Sequence, residues 1–204
     1  MSEPLATILF VCTGNICRSA YGHHLLAGRL EEAVPGRYRV ASAGTQVNPR
    51  LTVPPQVHAL PRAGGLRSLA DHVPTQLSGR AVAKADLLLA ATSDHSAVVL
   101  RDTPAALNRS FTMLEFGAAA RAMATGAIPA WSAPAAGAST LAEDVRSLAR
   151  HVSRHRPAVR GSLTTIDLPD PYGREDAAYT DMATALEPAV EHITDLLVTL
   201  ARRG

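Results

Sequence analysis

The chain has 204 residues, 47% of them hydrophobic, and a formal net charge of +2. That is enough for one domain with a real core, and so balanced a charge argues against a nucleic-acid partner. The N-terminus is acidic, and the apolar run from Ile8 to Cys12 is too short for a signal-peptide core or a membrane span. No membrane insertion is therefore expected, and the cytoplasm is the default compartment. The two cysteines, Cys12 and Cys17, do not make a disulfide framework for a chain of this length. In a reducing compartment such residues are catalytic, redox-active or simply buried. No pattern of paired ligands includes them, so neither a metal nor a cofactor is expected.

Thr7 to Val11 is a continuous apolar, partly β-branched run, which suits a strand buried on both faces. Thr13-Gly14-Asn15 is turn chemistry. Arg18 to Glu32 reads as a helix with Leu25, Leu26 and Leu30 on its apolar side, weakened by Gly22. Tyr38 to Ala41 is a second strand, followed by a loop from Ser42 to Thr45. Pro54 to Leu60 and Gln76 to Ala85 read as helices, Asp86 to Ala90 as a third strand, and Ser110 to Leu114 as a fourth. Glu115 to Met123 reads as a helix, and the stretch from Thr125 to Ser139, rich in Ala, Gly, Pro and Ser, as an irregular linker. From Thr140 to His155 a helix carries Leu141, Val145, Leu148 and Val152 at helical spacing. The last helix, Asp176 to Leu200, has an apolar stripe through Met182, Leu186, Val190, Ile193, Leu197 and Leu200. Pro188 is expected to kink or divide it. Strands alternating with helices imply a parallel sheet covered on both faces, with ligands at the carboxyl ends of the strands.

Cys12-Thr13-Gly14-Asn15-Ile16-Cys17-Arg18-Ser19 begins at such an end, between a buried strand and a helix. A phosphate monoester carries about two negative charges. Backbone N–H groups converging at a helix N-terminus supply donors and a favourable dipole. Gly14 and Asn15 tolerate the positive φ angles that such a wrap is expected to need. Arg18 is suited to a bidentate grip on two phosphate oxygens. The same positive field favours the thiolate of Cys12, the nucleophilic form. Ser19 can donate a hydrogen bond to the sulfur when it becomes the leaving group. The second element is Asp170-Pro171-Tyr172-Gly173. A leaving alkoxide or phenoxide needs a proton, which a loop carboxyl can give. Pro171 biases Asp170 towards an extended backbone.

Val11 to Ser19 resembles the phosphate loop of the low-molecular-weight protein-tyrosine phosphatases, and Asp170 to Gly173 resembles their general-acid loop. Ser42 to Thr45 and Ala85 to Leu89 also match the family's second and third strand regions. The resemblance implies a single α/β domain over residues 1–204: a four-stranded parallel sheet, flavodoxin-like and three-layered (α/β/α). Residues 125–163 would form an insertion with one helix before the general-acid loop. It implies a two-step hydrolysis of protein phosphotyrosine, or of a small phosphomonoester, through a phosphocysteine and without a metal. Cys12 is then the nucleophile, and Asp170 the general acid and later the base. Thr13, Gly14, Asn15, Ile16, Cys17, Arg18 and Ser19 bind phosphate, and Tyr172 is one aromatic wall for the substrate. It also suggests a reversible Cys12–Cys17 disulfide.

The chain departs from the family pattern in three places. Ala20-Tyr21-Gly22-His23 lacks the proline common after Arg-Ser. Gln46 to Arg50 carries no aromatic residue to sandwich a phosphotyrosine ring. The stretch 125–163 is longer than the usual connection. Asp167 is the rival for the acid. His151 and His155 are spaced as helical metal ligands can be, but their surroundings are rich in arginine. His23 and His24 read as surface or core histidines, and Trp131 as an anchor for its loop. Two further functions use the same loop: an arsenate reductase coupled to a small thiol, and a silent phosphate- or phosphotyrosine-binding regulator.

Overall fold

In the computed structural model, residues 5–60, 64–132 and 139–203 are described. Four parallel strands form one sheet in the order β2-β1-β3-β4. They are β1 (Ala6–Cys12), β2 (Tyr38–Gly44), β3 (Leu87–Ala90) and β4 (Ser110–Thr112). The helices are α1 (Arg18–Ala33), α2 (Pro55–His58), α3 (Gly79–Lys84), α4 (Ser93–Asp102), α5 (Met113–Ala124), α6 (Leu141–Arg154), α7 (Arg156–Gly161) and α8 (Asp176–Ala201). A 3-10 segment, Pro104–Arg109, leads into β4.

The two central strands, β1 and β3, read as near-continuous apolar runs because both faces are covered. The period of two still sorts them. Ile8 and Phe10 of β1 and Leu87 and Leu89 of β3 face a large core shared with α1, α5, α6 and α8. Leu9, Val11 and Leu88 face a smaller core, which holds Val82 of α3 and Val99 of α4. The three-layer α/β/α architecture expected from the sequence is thus present. Gly22 is where α1 presses on the sheet: a β-carbon there would lie 2.8 Å from the Phe10 ring. The glycine that weakens the helix permits its packing.

Several boundaries differ from the sequence reading for identifiable reasons. Helix α3 starts at Gly79 rather than near Gln76. Ser78 is its N-cap, and Gln76 makes a parallel bridge with Gly44 that extends the sheet edge. Strand β4 stops at Thr112, where Thr112 and Glu115 form a reciprocal capping box that starts α5. The sequence reading gave residues 93–102 no element, yet they form α4, capped by Thr92 with Asp94 in the first turn. Among the described residues, the stretch 125–163 contains two helices rather than one. His155 closes α6, and Pro157 sits at the start of α7, where a missing N–H costs nothing. Part of the expected linker, residues 133–138, lies outside the described residues.

Helix α6 buries Leu141, Val145, Leu148 and Val152, the stripe read from the sequence. It belongs to the core: truncating a leucine this buried typically costs about 2–5 kcal/mol. Arg146 on the same helix pairs with the buried Asp86 at 2.6 Å, and Asp86 also accepts from Thr7 N at 2.8 Å, at the start of β1. Helix α8 runs unbroken through Pro188. Pro188 and Thr184, whose carbonyl loses its partner there, are both solvent-exposed, so water can satisfy that group. All six residues of its predicted stripe are buried.

Candidate active site

The carboxyl ends of β1 and β3 converge on one place. Cys12 ends β1 and is buried, and the chain then wraps into α1. Helix α1 begins without a side-chain cap and with no acidic residue in its first turn. Its first N–H groups are therefore directed at the loop without a competing anion, which is how a helix end receives a phosphate.

The wrap depends on Asn15 more than on Gly14. Asn15 holds φ at +57°, the left-handed region, whereas Gly14 has no positive φ. The expectation that both residues would take positive φ is corrected to Asn15 alone. Asn15 is wholly buried and fixed on three sides. Its Nδ2 donates to Ser19 Oγ at 2.9 Å, its Oδ1 accepts from Thr75 N at 2.9 Å, and its carbonyl accepts from His72 Nε2 at 2.8 Å. Gly44, at the end of β2, completes the support: a β-carbon there would collide with the Thr13 carbonyl behind the loop.

Ser19 Oγ lies 2.9 Å from Cys12 Sγ. It already accepts from Asn15, so its own proton is free to point at the sulfur. Cys17 sits beside Cys12 in the buried loop, and both are free thiols. Burial, then the neighbouring Cys12 and Asp170, push the Cys17 thiol up to about 12. Cys17 therefore remains protonated at neutral pH.

Arg18 is buried, and its guanidinium reaches across to the second motif. Nη1 donates to the Leu168 carbonyl at 3.3 Å, while Nη2 donates to Thr13 Oγ1 at 3.2 Å and to Asp170 Oδ2 at 2.6 Å. Its Nε is buried with no protein partner, which leaves a donor for a phosphate oxygen. Leu168 anchors the acid-bearing loop: its N donates to the Ala91 carbonyl just after β3, at 2.8 Å. Asp170 itself is about half exposed, and its Oδ1 accepts from Tyr172 N at 3.2 Å. Tyr172 is also half exposed, at the rim of the same loop. Asp167 is engaged elsewhere. Its two oxygens accept from the backbone N and the hydroxyl of Ser93, at 2.7 and 3.0 Å, at the start of α4.

The structure adds two histidines that sequence reading did not place at the site. His95, in the first turn of α4, meets Thr13 Oγ1 through Nε2 at 2.9 Å and Thr92 Oγ1 through Nδ1 at 2.6 Å. Burial and then the Arg18 charge lower its pKa, so it stays neutral. The N-cap signal at Thr92 could have revealed the helix that carries it. His72 supports Asn15 from an irregular segment that offers no periodicity to read.

The sequence pattern of the low molecular weight phosphotyrosine protein phosphatases matches residues 7–128, more than half of the chain. The chain belongs to this phosphatase family. Among its relatives, a probable low molecular weight protein-tyrosine-phosphatase, AmsI, from Erwinia amylovora is 35% identical over 108 residues, covering 53% of this chain and 69% of the relative. A protein-arginine-phosphatase from Bacillus subtilis is 30% identical over 109 residues, covering 53% and 71%. The crystal structure of the Erwinia amylovora tyrosine phosphatase AmsI shares the fold, with a TM-score of 0.62 at 22% identity over 94% of this chain and 93% of that one. The YwlE arginine phosphatase from Geobacillus stearothermophilus does so with a TM-score of 0.61 at 22% identity, over 95% and 94%. Within this phosphatase, the family match ends at residue 128, before α6, α7 and the loop that carries Asp170.

Proposed function

We propose that this phosphatase hydrolyses phosphotyrosine on a protein, or a closely related phosphomonoester, through a phosphocysteine at Cys12. The observation that carries the reading is the Arg18 fork, which joins the loop around Cys12 to Asp170 at 2.6 Å. This contact supports Cys12, Arg18 and Asp170 acting together as nucleophile, anion grip and acid. In the first step the Cys12 thiolate attacks phosphorus. The loop N–H groups and Arg18 hold the equatorial oxygens, and Asp170 gives its proton to the departing phenolate oxygen. In the second step Asp170, now a carboxylate, takes a proton from water as the water attacks phosphorus. The P–S bond breaks, and Ser19 donates to the leaving sulfur. Tyr172 lends an aromatic face at the rim for the substrate ring.

The catalytic thiol must stay reduced, which suits the reducing cytoplasm as the working compartment. Among the described residues, no helix is long and apolar enough to cross a membrane. Relatives include both tyrosine and arginine phosphatases by name. The leaving group is therefore tested directly, by comparing kcat/KM on matched phosphotyrosine and phosphoarginine peptides. Phosphotyrosine is expected to win by at least about tenfold, the scale set by losing one well-placed rim contact. A preference for phosphoarginine of that size would overturn the substrate assignment and leave the cysteine mechanism intact.

A further inference from the structure

We propose that His23, His24 and His72 form a binding site for one zinc-class divalent ion beside the phosphate loop. The inference does not depend on the phosphatase reading; His72 meets the phosphate loop through the Asn15 carbonyl, but none of the three rings is assigned a contact with the reacting phosphate. Each of the three rings offers one nitrogen, and these nitrogens lie within 4.8 Å of one another. Two nitrogens bound to one zinc ion at its usual bond length stand about 3.3 Å apart. His24 Nε2 and His72 Nδ1 are already at 3.1 Å.

Counting hydrogens makes a cluster of ordinary core histidines an incomplete account. A neutral imidazole has one N–H and one lone pair. His72 Nε2 faces the Asn15 carbonyl at 2.8 Å and must give its hydrogen there, because a carbonyl can only accept. Its Nδ1 therefore turns a lone pair towards His24. His24 Nε2 faces that lone pair at 3.1 Å. In the tautomer that carries its N–H on Nδ1, two lone pairs face each other across the gap, and a cation between them turns that repulsion into coordination. His23 Nδ1 lies 3.1 Å from Ser42 Oγ. A backbone carbonyl on His72 and a hydroxyl on His23 are outer contacts of the kind that orient histidines on a metal. All-imidazole donors suit zinc and its neighbours rather than magnesium or calcium.

The rings are unprotonated at neutral pH. Burial pushes His23 down to about 3 and His24 to about 4, and it lowers His72 as well. No proton has to be displaced for an ion to bind. His23 also lines a surface cleft with Glu31, Tyr38 and Arg67, which gives an ion an entrance. Arg67 is the unfavourable neighbour, and Glu31 stands on the same cleft wall. A bound ion would brace α1 against the 68–75 segment at the point where His72 holds Asn15.

The test is a titration of the full chain with Zn²⁺ by calorimetry, and with Co²⁺ followed by its visible spectrum. Both are done in a Cys12→Ser, Cys17→Ser background so that no thiolate binds the ion. One ion per chain is expected, with a visible band of low-coordinate cobalt. His24→Gln and, separately, His23→Gln should each weaken binding by at least about tenfold, the scale at which even supporting partners of a metal act. His23 does not touch the phosphate loop, so its variant tests the site without disturbing Asn15. His151→Gln, which alters the other histidine pair, should leave the affinity unchanged. Absence of saturable one-to-one binding would overturn the proposal. So would binding that survives both His23→Gln and His24→Gln, or that is lost with His151→Gln.

Discussion

Single side chains at the site divide according to what their hydrogen bonds leave free. Asp170 has one oxygen on Arg18 and the other on Tyr172 N, yet stays about half open to solvent beside the Cys12 loop, whereas both oxygens of Asp167 are held by Ser93 at the start of α4. In the sequence Asp170 is the favoured acid and Asp167, three residues before it, the rival. The difference comes from Ser93, on a helix that the sequence reading did not place. Asp170→Asn is expected to cut turnover of a phosphotyrosine peptide by about 10²–10⁴, the usual worth of a general acid, and to cut it less for a substrate with a more acidic leaving group. Single-turnover kinetics are the right measurement, because the proposed mechanism also has Asp170 act as base on the intermediate. Asp167→Asn should show no leaving-group dependence, and should act through a loosened α4. The reverse pattern would move the acid to Asp167.

At the level of elements, what could be read in the sequence followed periodicity and caps. The strand into Cys12, the stripe of α6 and the stripe of α8 all announce themselves by spacing, and their buried faces are those the spacing gives. The short elements do not. Helix α2 spans four residues and α3 six, too few for a period to emerge. Helix α4 was missed although Thr92 carries a cap signal, because polar and apolar residues are mixed through Ser93–Asp102. His72 sits where no regular element exists, so its hold on Asn15 appears only in three dimensions.

Helix α1 also sets a pH dependence. Burial raises Cys17 from 9.0 to about 12, and raises Tyr21 and, on β2, Tyr38 above their usual 10.0. These acids are harder to ionise folded than unfolded. Above pH 9 the unfolded chain thus binds fewer protons than the native one, and stability falls as pH rises. The Cys17 contribution is complete below about pH 9 and lost as pH climbs through about 12. Urea unfolding should show the loss between about pH 8 and pH 10.5, with Cys17 accounting for about 1–2 kcal/mol of it. Cys17→Ala should flatten the curve. An unchanged slope would show that the thiol does not titrate as its burial dictates.

On the scale of the molecule, the parallel sheet makes the site. Because all four strands run the same way, the end of β1, the residues after β3 and the start of α4 emerge on one edge. The acid-bearing loop reaches that edge from about 150 residues further along the chain, after α6 and α7, and is held there by Leu168 on Ala91. The alternation of strands and helices disclosed this architecture in advance, and so did the loop at Cys12. The route of the chain through α6 and α7 was only partly legible. The single stripe of α6 was plain, but α7 spans only six residues, too few for an amphipathic signal. The central claim is that Cys12 attacks phosphorus, and the most direct measurement compares the wild-type enzyme with Cys12→Ser. Rapid-quench mass spectrometry of the wild type should find a phosphoryl group on Cys12 during turnover. The Cys12→Ser enzyme should bind vanadate through the intact loop and Arg18, yet turn over less than about one per cent as fast, as loss of a nucleophile requires. A phosphoryl group on another residue, or near-normal turnover by Cys12→Ser, would contradict the account.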